Sequence, residues 1–305
     1  MTITRFAPSP TGFLHLGHAF SAFHAWRRAR LAGGRFLLRL EDIDPGRCRP
    51  EYADAIQEDL AWLGLDWDGP VRVQSEHLTE YQAVLDTMAS RGLVYPCFCT
   101  RADIAREIAA SANAPHGPDG APLYPGTCRR LSRDERMDRV ATGERFALRL
   151  DMERALQAAS LRPGLSHDGR PYIGPSANDP SDNDPSDNGL SYIEEGEGII
   201  DCHPERFGDV VLARKDAPAS YHLCVTHDDA IQGVTLITRG TDLKSATDVH
   251  RLLQALMGWP CPVYAHHRLL TDRAGRRLAK RDQAATLRSL RAEGVSARTI
   301  IDRFG

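Results

Sequence analysis

Arg5-Phe6-Ala7-Pro8-Ser9-Pro10-Thr11-Gly12-Phe13-Leu14-His15-Leu16-Gly17-His18 reads as the end of a strand, a tight loop and the start of a helix. Thr2 to Phe6 is a short extended run, and two prolines and a glycine stop it. Apolar residues return at helical spacing from Leu16, Ala19, Phe20 and Phe23. His15 and His18 then share one face of the new helix, beside the positive end of its dipole, where an anion is favoured. Gly17 between them lets a planar ligand approach the backbone. An isolated His-x-x-His is ordinarily a surface feature, so the weight rests on what accompanies it.

The composition sets limits. A chain of 305 residues with 42% hydrophobic content builds one large domain or two ordinary ones with a sizeable core. It contains no uncharged apolar run of about 18 residues and no leader-like N-terminus, so a cytoplasmic protein without a membrane partner is expected. Seven cysteines in such a chain suggest reduced thiols and a metal ahead of disulfides. The net charge of −3 argues against broad, non-specific nucleic-acid binding.

Outward from the opening stretch, Arg35 to Leu40 reads as a buried strand ending in Glu41-Asp42-Ile43-Asp44. Carboxylates at a strand's C-terminal end in an α/β sheet lie where ligands bind. Helices are expected over Glu51–Leu63 and His77–Arg91, with a short strand Val71–Gln74 between them, so the first third alternates strand and helix as a doubly wound parallel sheet does. The alternation breaks at Tyr95-Pro96. Cys97-Phe98-Cys99, a helical run and a Pro/Gly-rich loop lead to Tyr124 and Cys128, thiols spaced so that a tetrahedral zinc could clamp the loop. From Arg162 to Glu197 the chain is acidic and rich in Gly, Pro, Ser and Asn, which reads as a loose surface insertion. Further strands are expected over Phe207–Lys215 and Val234–Thr238, followed by Arg239 and Asp242, and a helix over Ser245–Met257. Near the end comes Arg277-Leu278-Ala279-Lys280-Arg281, a basic run after a turn.

The fourteen residues from Arg5 to His18 resemble the first motif of class I aminoacyl-tRNA synthetases, in their glutamyl branch, and Arg277–Arg281 resembles the second, usually Lys-hydrophobic-Ser-Lys. The second match is partial, since Arg277 and Ala279 replace the first lysine and the serine. The resemblance implies a Rossmann-like doubly wound parallel α/β sheet with an inserted zinc-binding, connective subdomain and a short helical C-terminal segment. The corresponding divisions are 1–94, 95–206, 207–257 and 258–305, with the flexible insertion 162–197 inside the second. It further implies that Arg5, Ala7, Ser9, Glu41, Tyr221 and Arg239 bind L-glutamate, Glu41 reading the α-amino group and Arg239 the side-chain carboxylate. ATP, with Mg²⁺, would lie on His15, Gly17, His18, Asp242 and Lys280, with His15, His18 and Lys280 catalytic. Zn²⁺ would be held by Cys97, Cys99, Cys128 and Tyr124, with His116 as the alternative fourth ligand.

Val225 stands where glutamyl-tRNA synthetases usually carry asparagine, and 25 residues follow Lys280 where those enzymes continue into an anticodon-reading domain. Val225 sets the chain apart from the full-length enzymes, and with its early end the chain resembles the glutamyl-queuosine tRNA(Asp) synthetases, a resemblance that implies action on the queuosine-containing anticodon stem-loop of tRNA(Asp); a monomer is expected. Two other readings are an ordinary glutamyl-tRNA(Glu) synthetase charging the 3′ end and a catalytically inactive RNA-binding paralogue. The presence of His15, His18, Glu41, Arg239 and Lys280 opposes the second.

Overall fold

A computed structural model describes residues 1–110, 115–160, 164–165, 171–172, 189–270 and 285–304. The first half alternates as the spacing requires: β1 (Ile3–Phe6), α1 (Leu16–Leu31), β2 (Arg35–Leu40), α2 (Pro50–Trp62), β3 (Arg72–Val73) and α3 (Leu78–Ser90). Strands β1, β2 and β3 are parallel neighbours, with Arg5 opposite Leu37 and Leu40 opposite Val73. Helix α1 lies close on this sheet because it presents alanines to it: Ala19, Ala22, Ala25 and Ala29 are all buried. Phe36 and Leu38 of β2 are wholly buried, a contribution of about 1.5–3 kcal/mol each. Gly34 permits the turn into β2, since a Cβ there would sit 2.0 Å from the Thr2 carbonyl oxygen.

The chain then leaves the main sheet through β4 (Val94–Cys97), α4 (Arg101–Ala110), α5 (Arg133–Ala141), β5 (Ala147–Leu150) and α6 (Met152–Ser160). A two-residue antiparallel pair, β6 (Gly164–Leu165) with β7 (Pro171–Tyr172), follows. Beyond it come β8 (Ser191–Glu194), β9 (Gly198–Asp201), β10 (Val211–Ala213), α7 (Tyr221–Ile231), β11 (Leu236–Gly240), α8 (Ala246–Met257) and β12 (Val263–His267). Strands β4, β5 and β10 make a separate antiparallel sheet, and β11, β12 and β8 are parallel with β9 antiparallel at their edge. The Thr235 N–H donates to the Ile3 carbonyl at 3.0 Å, which sets β11 beside β1. The chain therefore winds outward in two directions from β1 and β11. Their C-terminal ends form the switch point at which open α/β sheets bind ligands.

Two segments differ from the sequence reading. The opening strand of the second catalytic half is expected over Phe207–Lys215, but only Val211–Ala213 is strand, and it pairs with β5 of the inserted sheet, Val211 opposite Arg149. The expected loose stretch 162–197 ends in β8, where Tyr192 and Glu194 are buried and Glu194 lies opposite Tyr264 in the main sheet. Glu194 tolerates burial because its carboxylate accepts from both the N–H and the ring of His266, at 2.8 and 2.7 Å. The repeated Asp-Pro-Ser-Asp-Asn segment and the loop carrying Arg277, Lys280 and Arg281 lie outside the described residues.

Short helices α9 (Leu287–Ala292) and α10 (Ala297–Ile301) close the chain. The Leu287 N–H donates to the Leu14 carbonyl at 2.8 Å, and buried Leu287 and Ile300 join the core under α1 and α2. The C-terminal segment thereby braces the loop that precedes His15.

Candidate active site

A cleft of about 440 Å³ opens at the switch point, lined by Arg5, Ala7, Ser9, His15, Gly17, His18, Glu41, Tyr221, Arg239 and Asp242. Segments more than 200 residues apart in sequence thus meet at one place. Lys280 lies outside the described residues. Val225, buried on α7, lines the same wall as Tyr221. Tyr221 is the first residue of helix α7, because the Ser220 hydroxyl accepts from the Leu223 N–H and starts the helix there.

The start of α1 is built by its two histidines. His15 is the N-cap: its Nδ1 accepts from the Gly17 N–H at 3.1 Å, while His18 Nδ1 accepts from the His15 N–H at 3.3 Å. The rings stack with centroids 3.8 Å apart. Accepting at Nδ1 leaves each neutral imidazole with its proton on Nε2, so both present donors of the kind a phosphate oxygen takes. The helix dipole reinforces that preference.

On the opposite wall a buried charge network fixes the other residues. Arg5 forks onto Asp229, Nε to Oδ1 at 3.0 Å and Nη2 to Oδ2 at 3.3 Å, and its Nη1 donates to the Thr238 carbonyl. Arg39, fully buried, donates to Asp229 Oδ1 at 2.8 Å and reaches Glu41 at 3.4 Å. Asp228 accepts from Arg72, Gln74 and Tyr81 at 2.9–3.0 Å. Nothing in the local sequence marks Arg39 or Asp229 as partners, since 190 residues separate them. The available signal is an arginine inside an otherwise apolar strand, which demands a buried anion.

Burial pushes the Glu41 carboxyl up to about 7, against the pull of Arg39 and Arg5. If the ionised form is the one that meets an ammonium, kcat/KM for glutamate falls as pH drops through 7. The limiting slope is about tenfold per pH unit. A profile flat from pH 8 to pH 5.5 would contradict that role for Glu41.

Arg239 on β11 is 6% exposed and is held differently. Its Nε donates to His266 Nε2 at 3.1 Å, Nη1 to His250 Nδ1 at 3.0 Å and Nη2 to Thr247 Oγ1 at 2.6 Å. Among the described residues no carboxylate pairs with it. Five N–H groups less three leave two, one on each terminal nitrogen, on a residue that lines the cleft. Beyond it, Gly240 allows Asp242 and Leu269 to close in, since a Cβ at 240 would lie 2.5 Å from Asp242 Oδ1 and 2.6 Å from Leu269 Cδ2.

The thiols form a second site on the inserted sheet. The sulfurs of Cys97, Cys99 and Cys128 all lie within 4.8 Å of one another, with Cys99 and Cys128 at 3.5 Å. Tyr124 places its hydroxyl 3.5 Å from Cys99 Sγ and accepts the Cys128 N–H at 2.8 Å. A tetrahedral zinc with metal–sulfur bonds near 2.3 Å separates its thiolates by about 3.8 Å, so the donor set fits that ion. His116 is exposed, pairs through its backbone with Pro122 and is not a member of the thiol group. The purified protein is expected to carry about one equivalent of zinc, and stripping it with a chelator should lower the melting temperature by several degrees. Metal analysis and a melting curve check this; metal-free protein with unchanged melting would count against a structural ion.

The tRNA synthetases class I (E and Q) catalytic-domain family matches residues 1–162 and 186–304. A glutamyl-Q tRNA(Asp) synthetase from Rhodobacter capsulatus is 48% identical over 297 residues, covering 96% of this chain and 96% of that protein. The chain belongs to the glutamyl-Q tRNA(Asp) synthetase family. A second member, from Nitratidesulfovibrio vulgaris, is 43% identical and covers 97% of this chain and 83% of its own. A solved glutamate tRNA ligase from Elizabethkingia meningosepticum superposes with a TM-score of 0.70 at 25% identity, over 92% of this chain and 52% of that one. Membership makes the chain a synthetase-class ligase. No helix among the described residues is long and apolar enough to cross a membrane.

Proposed function

We propose that this chain activates L-glutamate with ATP and passes the glutamyl group to queuosine in the anticodon of tRNA(Asp), working as a cytoplasmic monomer. One observation carries the first step: a single cleft combines two Nε2–H imidazoles at a helix start with a buried guanidinium that has no carboxylate partner among the described residues. The second step is supported by the relatives at 48% and 43% identity, whose name specifies glutamyl-Q tRNA(Asp).

In this reading Arg239 and Tyr221 hold the substrate's side-chain end. Glu41, in its ionised form, receives the α-ammonium, and Arg5, Ala7 and Ser9 line the same pocket. A substrate carboxylate oxygen attacks the α-phosphorus of ATP, the bond to the bridging oxygen breaks and pyrophosphate leaves. His15 and His18 donate hydrogen bonds to the phosphates and Lys280 offsets their charge, Asp242 faces the nucleotide and Mg²⁺ accompanies ATP. No enzyme nucleophile is needed. A hydroxyl of the queuosine cyclopentenediol then attacks the activated carbonyl, forming an ester and releasing AMP. The thiol site, with Tyr124 as fourth donor, would hold zinc as a structural clamp for the 95–206 unit, and none of its members lines the cleft.

Glutamate-dependent exchange of labelled pyrophosphate into ATP tests the activation step. Exchange with L-glutamate, and far less with L-glutamine or L-aspartate, is expected. Exchange that ignores the amino acid supplied, or none at all, would refute it.

A further inference from the structure

Arg5 and Arg239 are buried arginines that line the cleft and Arg39 is a third buried one tied to Arg5 through Asp229, and Arg239 differs from the other two. Arg5 and Arg39 share the Asp229 carboxylate, so their charges are compensated within the protein. Arg239 meets two imidazoles and a hydroxyl. The hydrogen-bond directions fix both rings. Arg239 can only donate, so His266 Nε2 and His250 Nδ1 must be unprotonated acceptors. His266 then carries its proton on Nδ1 and gives it to Glu194 Oε2 at 2.7 Å, while the Glu194 Oε1 atom takes the His266 N–H at 2.8 Å. His250 carries its proton on Nε2 and gives it to His222 Nδ1 at 3.1 Å. Desolvation, then the nearby Arg239 charge, hold His266 at about 4 and His250 well below the usual histidine value, in agreement with neutral rings.

A carboxylate on Arg239 would orient the fork equally well but would also cancel the charge that a bound anion needs. Neutral acceptors orient it without cancelling it. We propose that His250 and His266, the latter oriented by Glu194, are positioning residues that fix the Arg239 fork while leaving its charge for the substrate's side-chain carboxylate. This makes them determinants of the preference for glutamate over its uncharged amide. The inference rests on the reading that Arg239 meets glutamate. It also gives Glu194, at the end of the acidic 162–197 stretch, a part in the site.

The test is a near-isosteric pair. His250→Asn and His250→Asp both offer an oxygen close to the position of Nδ1, but only the second brings a charge onto Arg239. For glutamate-dependent pyrophosphate exchange, His250→Asp should raise KM for glutamate about 100-fold beyond His250→Asn, the scale of an added buried charge conflict. KM for ATP should stay within about threefold in both variants, because uniform binding elsewhere is untouched. The margin between glutamate and glutamine should narrow in His250→Asp alone. His266→Gln and His266→Glu form a second pair if either His250 variant fails to fold. Equal effects of the two members of a pair, a matching rise in KM for ATP, or no change in either member would overturn the proposal. Wild-type protein that lacks glutamate-dependent exchange would instead defeat the underlying reading, and the inference with it.

Discussion

Arg239→Gln is expected to lower kcat/KM for glutamate by about 30- to 5,000-fold, corresponding to the 2–5 kcal/mol lost when one member of a buried, hydrogen-bonded charge pair is truncated. The side chain is 6% exposed and keeps two N–H groups beyond those given to His266, His250 and Thr247. Glutamine retains the length of the inner stem and some hydrogen bonding but no charge. The loss should therefore appear mainly in the affinity for glutamate, with KM for ATP little changed. Steady-state pyrophosphate exchange with each substrate varied separately measures this. A variant whose defect fell equally on ATP would indicate general damage, and one that kept its glutamate KM would remove Arg239 from the pocket.

Asp229→Ala carries the largest expected effect on stability. Asp229 is the shared anion for Arg5 at 3.0 Å and Arg39 at 2.8 Å, and all three side chains are at least 94% buried. Removing it leaves Arg5 with no carboxylate partner among the described residues and Arg39 with only its longer contacts to Glu41 at 3.4 Å and Asp228 at 3.8 Å, and breaking such a buried pair from one side costs about 3–5 kcal/mol. Against a total stability of about 5–15 kcal/mol that is a severe loss, and a melting temperature lower by about 10 °C is expected. Activity should fall too, since Arg5 loses its anchor and Glu41 loses the fixed position of Arg39. Melting within a degree or two of wild type would show that water or another acid compensates the arginines.

These two arginine environments show where sequence reading succeeds and where it stops. The strand-loop-helix from Arg5 to His18 is legible because every contact that shapes it is local: His15 caps its own helix and His18 reaches back three residues. Glu41 is legible as a carboxylate at a strand end, a position that the α/β architecture assigns to ligands. The partners that give these residues their properties are not legible. Asp229 is 224 residues from Arg5, and Glu194 lies 72 residues from the histidine it orients. Glu194 is the least legible of them, because the acidic run Glu194-Glu195-Gly196-Glu197 has the composition of a solvated loop, and the two donors supplied by His266 make its burial tolerable. The thiol cluster falls between these cases. The spacing of Cys97, Cys99 and Cys128 suggests a metal, the fold brings the sulfurs within 4.8 Å, and the exposed His116 stays apart.

The most direct measurement of the central claim is transfer itself. The protein is incubated with ATP, radiolabelled L-glutamate and tRNA(Asp), either containing or lacking queuosine, with tRNA(Glu) alongside. Label is expected on queuosine-containing tRNA(Asp) alone, and periodate oxidation of the queuosine diol beforehand should abolish it. Equal labelling of both tRNA(Asp) forms, or labelling of tRNA(Glu), would contradict the account.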